Sequence, residues 1–246
     1  MRLPAGFVDY DRGTIRVIAT RLELQEMVDL LLGSHERAGA AARELASTRV
    51  ELGGRGGARR LVLPGGKAVY LRKYRRGGMV RHFVKDLYLR RPERPLRELV
   101  VTEAARAAGC PVPTVLAVCI EEAGPFYRGW IVTAAIDRAA PLIDAYTARG
   151  PAEREILLAD VGRAVRSLRD AGVYHVDLTG HNVIIDEQQG PVLIDFDRAF
   201  RDRPDMRGHA DRGLDRLWRS MTKLCATRAV DLEEEQRRWL MRGYNR

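Results

Sequence analysis

The segment from His175 to Asn182 contains acidic and amide side chains that are suited to proton transfer and metal binding. It reads HVDLTGHN over 175–182, and two short apolar runs separate it from Asp195-Phe196-Asp197. A carboxylate at Asp177 can orient a hydroxyl group and accept its proton. Asn182 and Asp195 offer hard oxygen atoms, the ligands that Mg²⁺ prefers. The segment therefore contains a candidate base, Asp177, and two candidate metal ligands, Asn182 and Asp195.

The order of these parts is more specific than any one of them. A lone His-x-Asp is common by chance, whereas H-x-D-L-x-x-x-N followed by a two-strand hairpin and Asp-Phe matches the catalytic signature of kinases. Phosphoryl transfer needs an aligned acceptor hydroxyl and neutralised phosphate charge, with little covalent help from the protein. The alternative is a capped turn and an ordinary hairpin with solvated carboxylates. The complete spacing favours phosphoryl transfer from ATP.

A glycine-rich turn lies upstream of that segment. Gly53, Gly54, Gly56 and Gly57 stand between two predicted strands, where backbone N–H groups could approach phosphates without obstruction by side chains. Glycine-rich hairpins are frequent, so a purely structural turn is the alternative. The position of these glycines ahead of the other candidates favours nucleotide binding.

A kinase also needs a cation on the third strand of its sheet, paired with a carboxylate on the following helix. The strand reads Val69-Tyr70-Leu71-Arg72-Lys73. Because side chains alternate along a strand, only one of Arg72 and Lys73 can face the nucleotide. Glu98, one turn inside the next predicted helix, is the candidate partner. The alternative for Glu98 is a solvated helix face.

The elements around these residues predict an α+β fold with two lobes. Residues 1–136 are expected to form an N-lobe, with a strand and helix extension over 1–48, a small antiparallel β-sheet and one key helix. Residues 137–246 are expected to form a reduced, mainly α C-lobe that contains the catalytic loop and the metal-binding hairpin. The key helix is predicted over Leu96–Ala108, with Gly109 as the residue that ends it.

Local patterns predict the bounds of several elements. Residues 68–73 are expected to form a strand, and the apolar runs 183–185 and 192–194 are expected to form a hairpin. Thr20 is expected to begin a helix, because Glu23 follows it at the spacing of a capping box. Leu22 is assigned to the buried stripe of that helix together with Met27, Leu30 and Leu31.

The composition is that of an ordinary globular protein, with 46% hydrophobic and 30% charged residues in a chain of 246. A net charge of +9 favours an anionic partner, such as a nucleotide, a phosphorylated glycan or lipid, nucleic acid or a membrane surface. The scattered Cys110, Cys119 and Cys225 predict reduced thiols. No secretory signal or membrane span is recognisable, so any membrane contact is expected to be peripheral.

Four motifs make the chain resemble the lipopolysaccharide core kinases, most closely the 3-deoxy-D-manno-octulosonic acid (Kdo) kinases. They are YLRKYRRGG over 70–78, GCPVP over 109–113, YHVDLTGHN over 174–182 and LIDFDR over 193–198, and the resemblance covers about residues 50–225. It implies a protein-kinase-like fold with ATP and Mg²⁺, Asp177 as catalytic base, and Asn182 and Asp195 as metal ligands. It also implies that Arg72 occupies the position of the usual lysine, with Glu98 as its partner.

The chain departs from the common kinase pattern at two positions. Arg72 replaces lysine, and a planar fork of donors holds phosphates differently from a point charge. Asp197 replaces the glycine that usually follows Asp-Phe, which argues against a regulatory segment that flips.

Basic residues are concentrated between positions 72 and 97 in what we call the basic stretch. It would fit an anionic leaflet, where each basic residue near the surface contributes about 1 kcal/mol, or the phosphates and carboxylates of Kdo–lipid A. A solvated surface is the alternative for most single residues, and the aromatic residues lack the pattern of an RNA-binding module. The stretch comprises Lys73, Arg75, Arg76, Arg81, Lys85, Arg90, Arg91 and Arg94.

The leading hypothesis is an ATP-dependent kinase of lipopolysaccharide inner-core biosynthesis that phosphorylates Kdo on Kdo–lipid A. We expect it at the cytoplasmic face of the inner membrane, attached peripherally. About fifty residues follow Asp195 and include no Ala-Pro-Glu, so we expect no large peptide-docking lobe. One alternative is a kinase of another acceptor, such as a core heptose, an antibiotic or a protein hydroxyl. The other is a nucleotide-binding pseudokinase, suggested by the altered strand-three and D-F-D motifs.

Overall fold

The computed structural model describes residues 2–36, 58–74, 87–89, 93–201 and 209–245. They divide into two compact units. The first unit comprises Met1–Glu103 and Thr114–Ala135, and the second comprises Ala104–Pro113 and Ile136–Arg246.

An antiparallel sheet forms the frame of the first unit. Its strands are β1 (Phe7–Arg12), β2 (Ile15–Thr20), β3 (Ala58–Val62), β4 (Ala68–Lys73), β5 (Tyr88–Leu89), β6 (Val115–Ala123) and β7 (Phe126–Ala134). They lie in the order β1-β2-β6-β7-β4-β3, and β5 pairs with the first residues of β7. The N-terminal hairpin of β1 and β2 thus extends the sheet beyond β6.

Both faces of this sheet are covered by apolar side chains. Val17 and Ala19 of β2 point to one face and pack in a cluster with Met27 of helix α1 (Leu24–Glu36). Ile18 points to the other face and packs in a cluster with Leu99 of helix α2 (Arg94–Ala107). The first six residues of β6 are all buried, which is why its sequence is a continuous apolar run.

The chain turns between β2 and α1, where a helix was expected to begin at Thr20. The N–H of Glu23 donates to the carbonyl oxygen of Thr20 (3.1 Å), and the helix begins at Leu24. Leu22 is 97% exposed in this turn, so its predicted place in the buried stripe is wrong. Glu23 forms an ion pair with Lys67 of the β3–β4 turn. The turn takes Leu22 out of the phase of the helix, whereas Met27 is buried as predicted.

The second unit is mainly helical. Its helices are α3 (Leu142–Thr147), α4 (Pro151–Asp170), α5 (His209–Ala226) and α6 (Glu234–Asn245). Its strands are β8 (Ala139–Pro141), β9 (Val173–Tyr174), β10 (Val183–Asp186), β11 (Gly190–Leu193) and β12 (Phe200–Arg201). One small sheet has the order β11-β10-β8, and β12 pairs with β9. Within the described ranges, none of the helices has the length and apolar composition needed to cross a bilayer.

Several predicted bounds are confirmed. β4 covers residues 68–73 as expected. Gly109 follows α2 with φ of +79°, and the N–H of Cys110 closes the end of the helix on the carbonyl oxygen of Ala105 (3.0 Å). Gly172 follows α4 with φ of +65°. In each case a left-handed residue ends the helix, and glycine adopts that conformation without a steric penalty.

The three cysteines are buried free thiols. Burial raises the pKa of Cys119 to about 12 and that of Cys225 to about 11. Burial also raises the pKa of Cys110, whose Sγ donates to the carbonyl oxygen of Ser167 (3.2 Å). Because the thiolate is the reactive form, these side chains act as small apolar groups in the core.

Helices α4 and α6 cross at two glycines. A Cβ built at Gly162 would lie 2.8 Å from the backbone nitrogen of Tyr244, and a Cβ built at Gly243 would overlap the carbonyl oxygen of Ala159. Since both obstacles are backbone atoms, no rotation of a side chain could make room. The crossing therefore requires hydrogen at both positions.

Gly243→Ala is expected to destabilise the protein by about 1–3 kcal/mol or more, because overpacking forces the two helix backbones apart. Gly213→Ala is the matched control, since it lies in α5 and a Cβ there would meet its nearest neighbours at an ordinary 3.8 Å. Alanine is favoured over glycine in a helix by roughly 0.5–1 kcal/mol, so the control should be neutral or stabilising. Urea unfolding of both variants measures the difference, and equal stabilities would contradict the close crossing.

Candidate active site

A hairpin brings two of the candidate residues next to each other. β10 and β11 are antiparallel, and beyond their last pair the N–H of Ile194 donates to the carbonyl oxygen of Asn182 (2.9 Å). Asn182 therefore lies opposite Ile194, one residue from Asp195. At the far end of the hairpin, Oδ1 of Asp186 accepts hydrogen bonds from two backbone N–H groups (2.7 and 2.8 Å). This turn fixes the register of the strands, and with it the position of Asn182 beside Asp195.

The side chain of Asn182 is tied to the loop that carries Asp177. Its Nδ2 donates to the backbone carbonyl oxygen of Asp177 (2.8 Å). A carbonyl oxygen can only accept, so this contact fixes which end of the amide faces the loop. The amide oxygen Oδ1 is thereby turned away from that carbonyl. Hydrogen bonds thus join the carbonyl of Asp177, Asn182 and Ile194, the residue before Asp195, in one arrangement, which we call the Ile194 frame.

His175 closes the Ile194 frame from the other side. Its Nε2 lies 2.9 Å from the carbonyl oxygen of Ile194, and its ring packs edge-on against Phe196 with centroids 4.9 Å apart. Burial lowers the pKa of His175, so the ring is neutral near pH 7 and its Nε2 carries the donated hydrogen. Both backbone groups of Ile194 are therefore used, one by Asn182 and one by His175.

Asp195 has an unusual backbone conformation, with φ of +67°. Non-glycine residues in this left-handed region are uncommon, although Asp and Asn are enriched there, and the conformation costs on the order of 1 kcal/mol or more. The next residue anchors it, because Phe196 is buried and its carbonyl oxygen accepts a hydrogen bond from Ala199 (2.9 Å). The chain thus leaves the direction of β11 at the candidate metal ligand.

The carboxylate of Asp177 contacts two arginines. Nη1 of Arg198 lies 3.1 Å from Oδ2, and Nη1 of Arg216 lies 3.4 Å from Oδ1. The side chains of Asp177 and Arg216 are each 43% exposed, and that of Arg198 is 63% exposed. Each carboxylate oxygen of the candidate base therefore has a guanidinium beside it at the surface of the second unit.

In the first unit, Arg72 pairs with Glu98. Nη2 of Arg72 lies 2.6 Å from Oε1 and 2.7 Å from Oε2 of Glu98, whose side chain is only 5% exposed. The hydroxyl group of Tyr74 also donates to Oε2 of Glu98, and the ring of Tyr74 lies 5.0 Å from the Arg72 guanidinium carbon. Arg72 of β4 and Glu98 of α2 therefore form an ion pair on the face of the sheet that α2 covers.

Lys73 lies on the opposite face of β4. It stands directly across from Trp130 of β7, and its Nζ lies 5.2 Å from the centre of the Trp130 ring. Trp130 packs against the cluster under α1. Because side chains alternate along a strand, Arg72 lies on the same face as Glu98 and Lys73 lies on the other face.

Tyr74→Phe is expected to destabilise the protein by about 1.5–3 kcal/mol, because the buried Glu98 carboxylate loses a hydrogen bond. Tyr10→Phe in β1 is the matched control, because Tyr10 is only partly buried at the outermost strand of the sheet. Chemical denaturation of both variants tests this. A Tyr74→Phe protein as stable as the control would show that the hydroxyl group contributes nothing to the Arg72–Glu98 pair.

Some predicted residues lie outside the described residues. These are the four glycines of the predicted phosphate loop and most of the basic stretch, namely Gly53, Gly54, Gly56, Gly57, Arg75, Arg76, Arg81, Lys85, Arg90 and Arg91. Their proposed roles therefore stay predictions from the sequence.

Comparison with known proteins identifies the family. A sequence model of the lipopolysaccharide kinase (Kdo/WaaP) family matches residues 40–244. The chain belongs to this family. It is 33% identical over 236 residues to the 3-deoxy-D-manno-octulosonic acid kinase of Xanthomonas campestris pv. campestris (strain B100), covering 95% of this chain and 90% of that protein.

Two further Kdo/WaaP relatives are similar over most of their length. The 3-deoxy-D-manno-octulosonic acid kinase of Xylella fastidiosa (strain 9a5c) is 34% identical over 199 residues, which is 80% of this chain and 78% of that protein. The enzyme of the same name from Vibrio vulnificus (strain YJ016) is 31% identical over 177 residues, 71% and 73% of the two chains. Membership of the Kdo/WaaP family confirms the kinase-like α+β fold and an ATP-dependent kinase activity.

The Kdo/WaaP kinase has oxygen donors that suit a hard divalent cation. Asn182, which has an amide oxygen, lies opposite Ile194 in the hairpin, and Asp195, which has a carboxylate, is the next residue along the chain. The contact of Nδ2 with Asp177 leaves the oxygen end of the Asn182 amide for a ligand. Asn and Asp oxygens with additional water or phosphate oxygens are the usual donors to Mg²⁺. The arrangement thus fits the ion that the sequence predicts.

Three residues at these sites were not predicted from the sequence. Arg198 directly follows the D-F-D motif, and its position beside a motif of acidic residues was the available signal. Arg216 lies on α5, 39 residues from Asp177, and no local pattern points to it. Tyr74 lies among the residues of the basic stretch, and no sequence pattern indicated that its hydroxyl group supports Glu98.

Proposed function

We propose that this Kdo/WaaP kinase transfers the γ-phosphoryl group of ATP to a hydroxyl of Kdo, with Kdo–lipid A as the acceptor. The relatives that match over most of the chain are named 3-deoxy-D-manno-octulosonic acid kinases. The observation on which the proposal depends is the Ile194 frame, which connects the loop of the proposed base, Asp177, with the proposed ligands Asn182 and Asp195 in a chain of this family.

Asp177 is the base in this proposal. Its backbone carbonyl holds Asn182, while its carboxylate stays outside the Ile194 frame and is 43% exposed. A hydroxyl of the acceptor can therefore reach the carboxylate without disturbing the frame. The carboxylate orients that hydroxyl and accepts its proton as the bond to phosphorus forms.

Asn182 and Asp195 would hold Mg²⁺, which when bound neutralises charge on the phosphates of ATP. The protein holds both residues in position without the ion. The hydrogen bond to Asp177 sets the rotation of the Asn182 amide, and the left-handed backbone of Asp195 is held by the buried Phe196. Neutral His175 fixes Ile194 between them. Such preorganisation avoids reorganisation of the ligands during the reaction.

Arg72 is the cation that we assign to the phosphates, in preference to Lys73. Glu98 and Tyr74 hold its guanidinium on the α2 face of the sheet. A guanidinium presents a planar set of donors that can bind two phosphate oxygens at once. The glycines at 53, 54, 56 and 57 remain the proposed phosphate loop.

We place the reaction at the cytoplasmic face of the inner membrane, with the enzyme bound peripherally. The acceptor of the proposal is itself a lipid. The net charge of +9 supports this location, because basic residues near an anionic leaflet each contribute about 1 kcal/mol to binding.

An acceptor panel with γ-labelled ATP and Mg²⁺ tests the function. It should contain Kdo–lipid A, lipid A without Kdo, a heptose-extended core, a soluble aminoglycoside and a generic peptide. We expect label on the Kdo-bearing acceptors and none on lipid A alone. Preference for the aminoglycoside or the peptide would overturn the choice of acceptor, and magnesium-dependent ATP binding without transfer to any acceptor would indicate a pseudokinase.

A further inference from the structure

The contacts of Arg198 and Arg216 with Asp177 differ from those of a structural ion pair. At 3.1 and 3.4 Å they are longer than the roughly 2.7–2.9 Å of tight charge-assisted hydrogen bonds. All three side chains are more than 40% exposed. By contrast, Nη2 of Arg72 lies 2.6 Å from Oε1 of Glu98, and the carboxylate of Glu98 is almost wholly buried. The arginines beside Asp177 are therefore loosely held and can change partners at small cost.

The charges of this group, which we call the Asp177 cluster, do not balance. It consists of Asp177, Arg198 and Arg216, so two guanidinium groups face one carboxylate. These three groups together carry a net charge of +1, at the carboxylate that is the proposed base. An acceptor with a negative group would be attracted to the two guanidinium groups, whereas a neutral sugar would not.

The location of the cluster decides which part of an acceptor it would meet. A base must lie about 2.6–3.2 Å from the hydroxyl oxygen whose proton it accepts. Because each guanidinium is within 3.4 Å of an oxygen of that base, any group attached near the reacting hydroxyl comes within reach of an arginine. Arginine matches the planar geometry of a carboxylate with two parallel hydrogen bonds. A sugar acid carries such a group on the same ring as its hydroxyls.

We infer that Arg198 and Arg216 bind the carboxylate of the acceptor sugar and select for acidic sugars. This inference rests on the proposed function and adds to it the residues that recognise the acceptor. In the absence of acceptor the two arginines contact the carboxylate of Asp177. When the acceptor binds, its carboxylate takes over their hydrogen bonds, and both oxygens of Asp177 are left to orient the hydroxyl.

The experiment compares two acceptors with two forms of the enzyme. The acceptors are Kdo–lipid A and the same molecule with the Kdo carboxylate converted to a primary amide. The enzymes are the wild type and Arg198→Gln, with Arg216→Gln as a second variant. Loss of a hydrogen bond to a charged group corresponds to roughly a tenfold to hundredfold change, so each variant should raise KM for Kdo–lipid A by about that factor. KM for ATP should stay within about twofold of the wild type.

The amide acceptor distinguishes direct contact from an indirect effect. In the wild type it should raise KM by a factor similar to that of the arginine substitutions. In the variants, replacement of the carboxylate should raise KM little further, because the two changes remove the same contact and their effects are therefore not additive. Arg198→Lys should recover part of the loss, since lysine keeps the charge but not the fork of donors.

Arg228→Gln is the control for net charge. Arg228 is exposed at 52% and pairs with Asp144 at 2.7 Å, so its loss changes the total charge equally and leaves the Asp177 cluster intact. If the amide acceptor and the arginine substitutions act independently, or if the variants raise KM for ATP instead, the inference is wrong. If the wild type does not phosphorylate Kdo–lipid A at all, the proposed function itself is wrong.

Discussion

Asp177→Asn is expected to lower kcat by about 10²–10⁴-fold, the usual contribution of a positioned general base. Asparagine has the same size as aspartate but cannot accept the proton of the acceptor hydroxyl. The backbone carbonyl of Asp177, and not its side chain, receives the hydrogen bond of Asn182. The substitution therefore leaves the Ile194 frame in place. Single-turnover rates at saturating Mg-ATP and acceptor measure the effect on the chemical step.

Asp170→Asn provides the matched control for that variant. Asp170 is an exposed aspartate at the end of α4 that pairs with Arg166 and Arg169. Its replacement should leave kcat within about twofold, because surface ion pairs contribute little. An Asp177→Asn enzyme with kcat equal to that of the control would show that another group accepts the proton.

Asp195→Asn is expected to lower kcat/KM for ATP by on the order of 10²–10³-fold through loss of an electrostatic group at the phosphates. Asparagine is the informative replacement because it tolerates the left-handed backbone that Asp195 adopts at φ +67°. Alanine at this position would combine backbone strain with the loss of charge, and the two effects on the rate could then not be separated. The rate should also require a higher Mg²⁺ concentration for half-saturation.

The Mg²⁺ dependence separates the two aspartates. Asp177→Asn should change the rate without changing the Mg²⁺ concentration at half-saturation, whereas Asp195→Asn should change both. Asp215→Asn, which removes an exposed carboxylate of α5 that pairs with Arg237 at 3.3 Å, should change neither. An unchanged Mg²⁺ dependence in Asp195→Asn would contradict its role as a ligand.

Local patterns were sufficient to predict the elements that hold the site. The apolar runs 183–185 and 192–194 predicted the hairpin that places Asn182 opposite Ile194. The pattern of α2 predicted its end at Gly109, where the left-handed conformation favours glycine. These features depend on residues close together in the sequence, so their spacing alone is informative.

Contacts between distant residues could not be predicted in the same way. The choice between Arg72 and Lys73 required the pairing of β4 with β7, which places Trp130 beside Lys73. Arg216 reaches Asp177 only because α5 packs near a short 3₁₀ helix, Gly180–Asn182, that follows the loop of Asp177. Leu22 was assigned to a helix by its spacing, but the chain turns before α1 begins. In each case tertiary packing, and not local propensity, decides the outcome.

The mass spectrum of Kdo–lipid A after incubation with the enzyme and Mg-ATP tests the acceptor and the role of Asp177 together. We expect one added phosphate on a fragment that contains Kdo, formed by the wild type and by Asp170→Asn, and almost none formed by Asp177→Asn. A phosphate on the lipid A fragment, or equal product from Asp177→Asn, would contradict it.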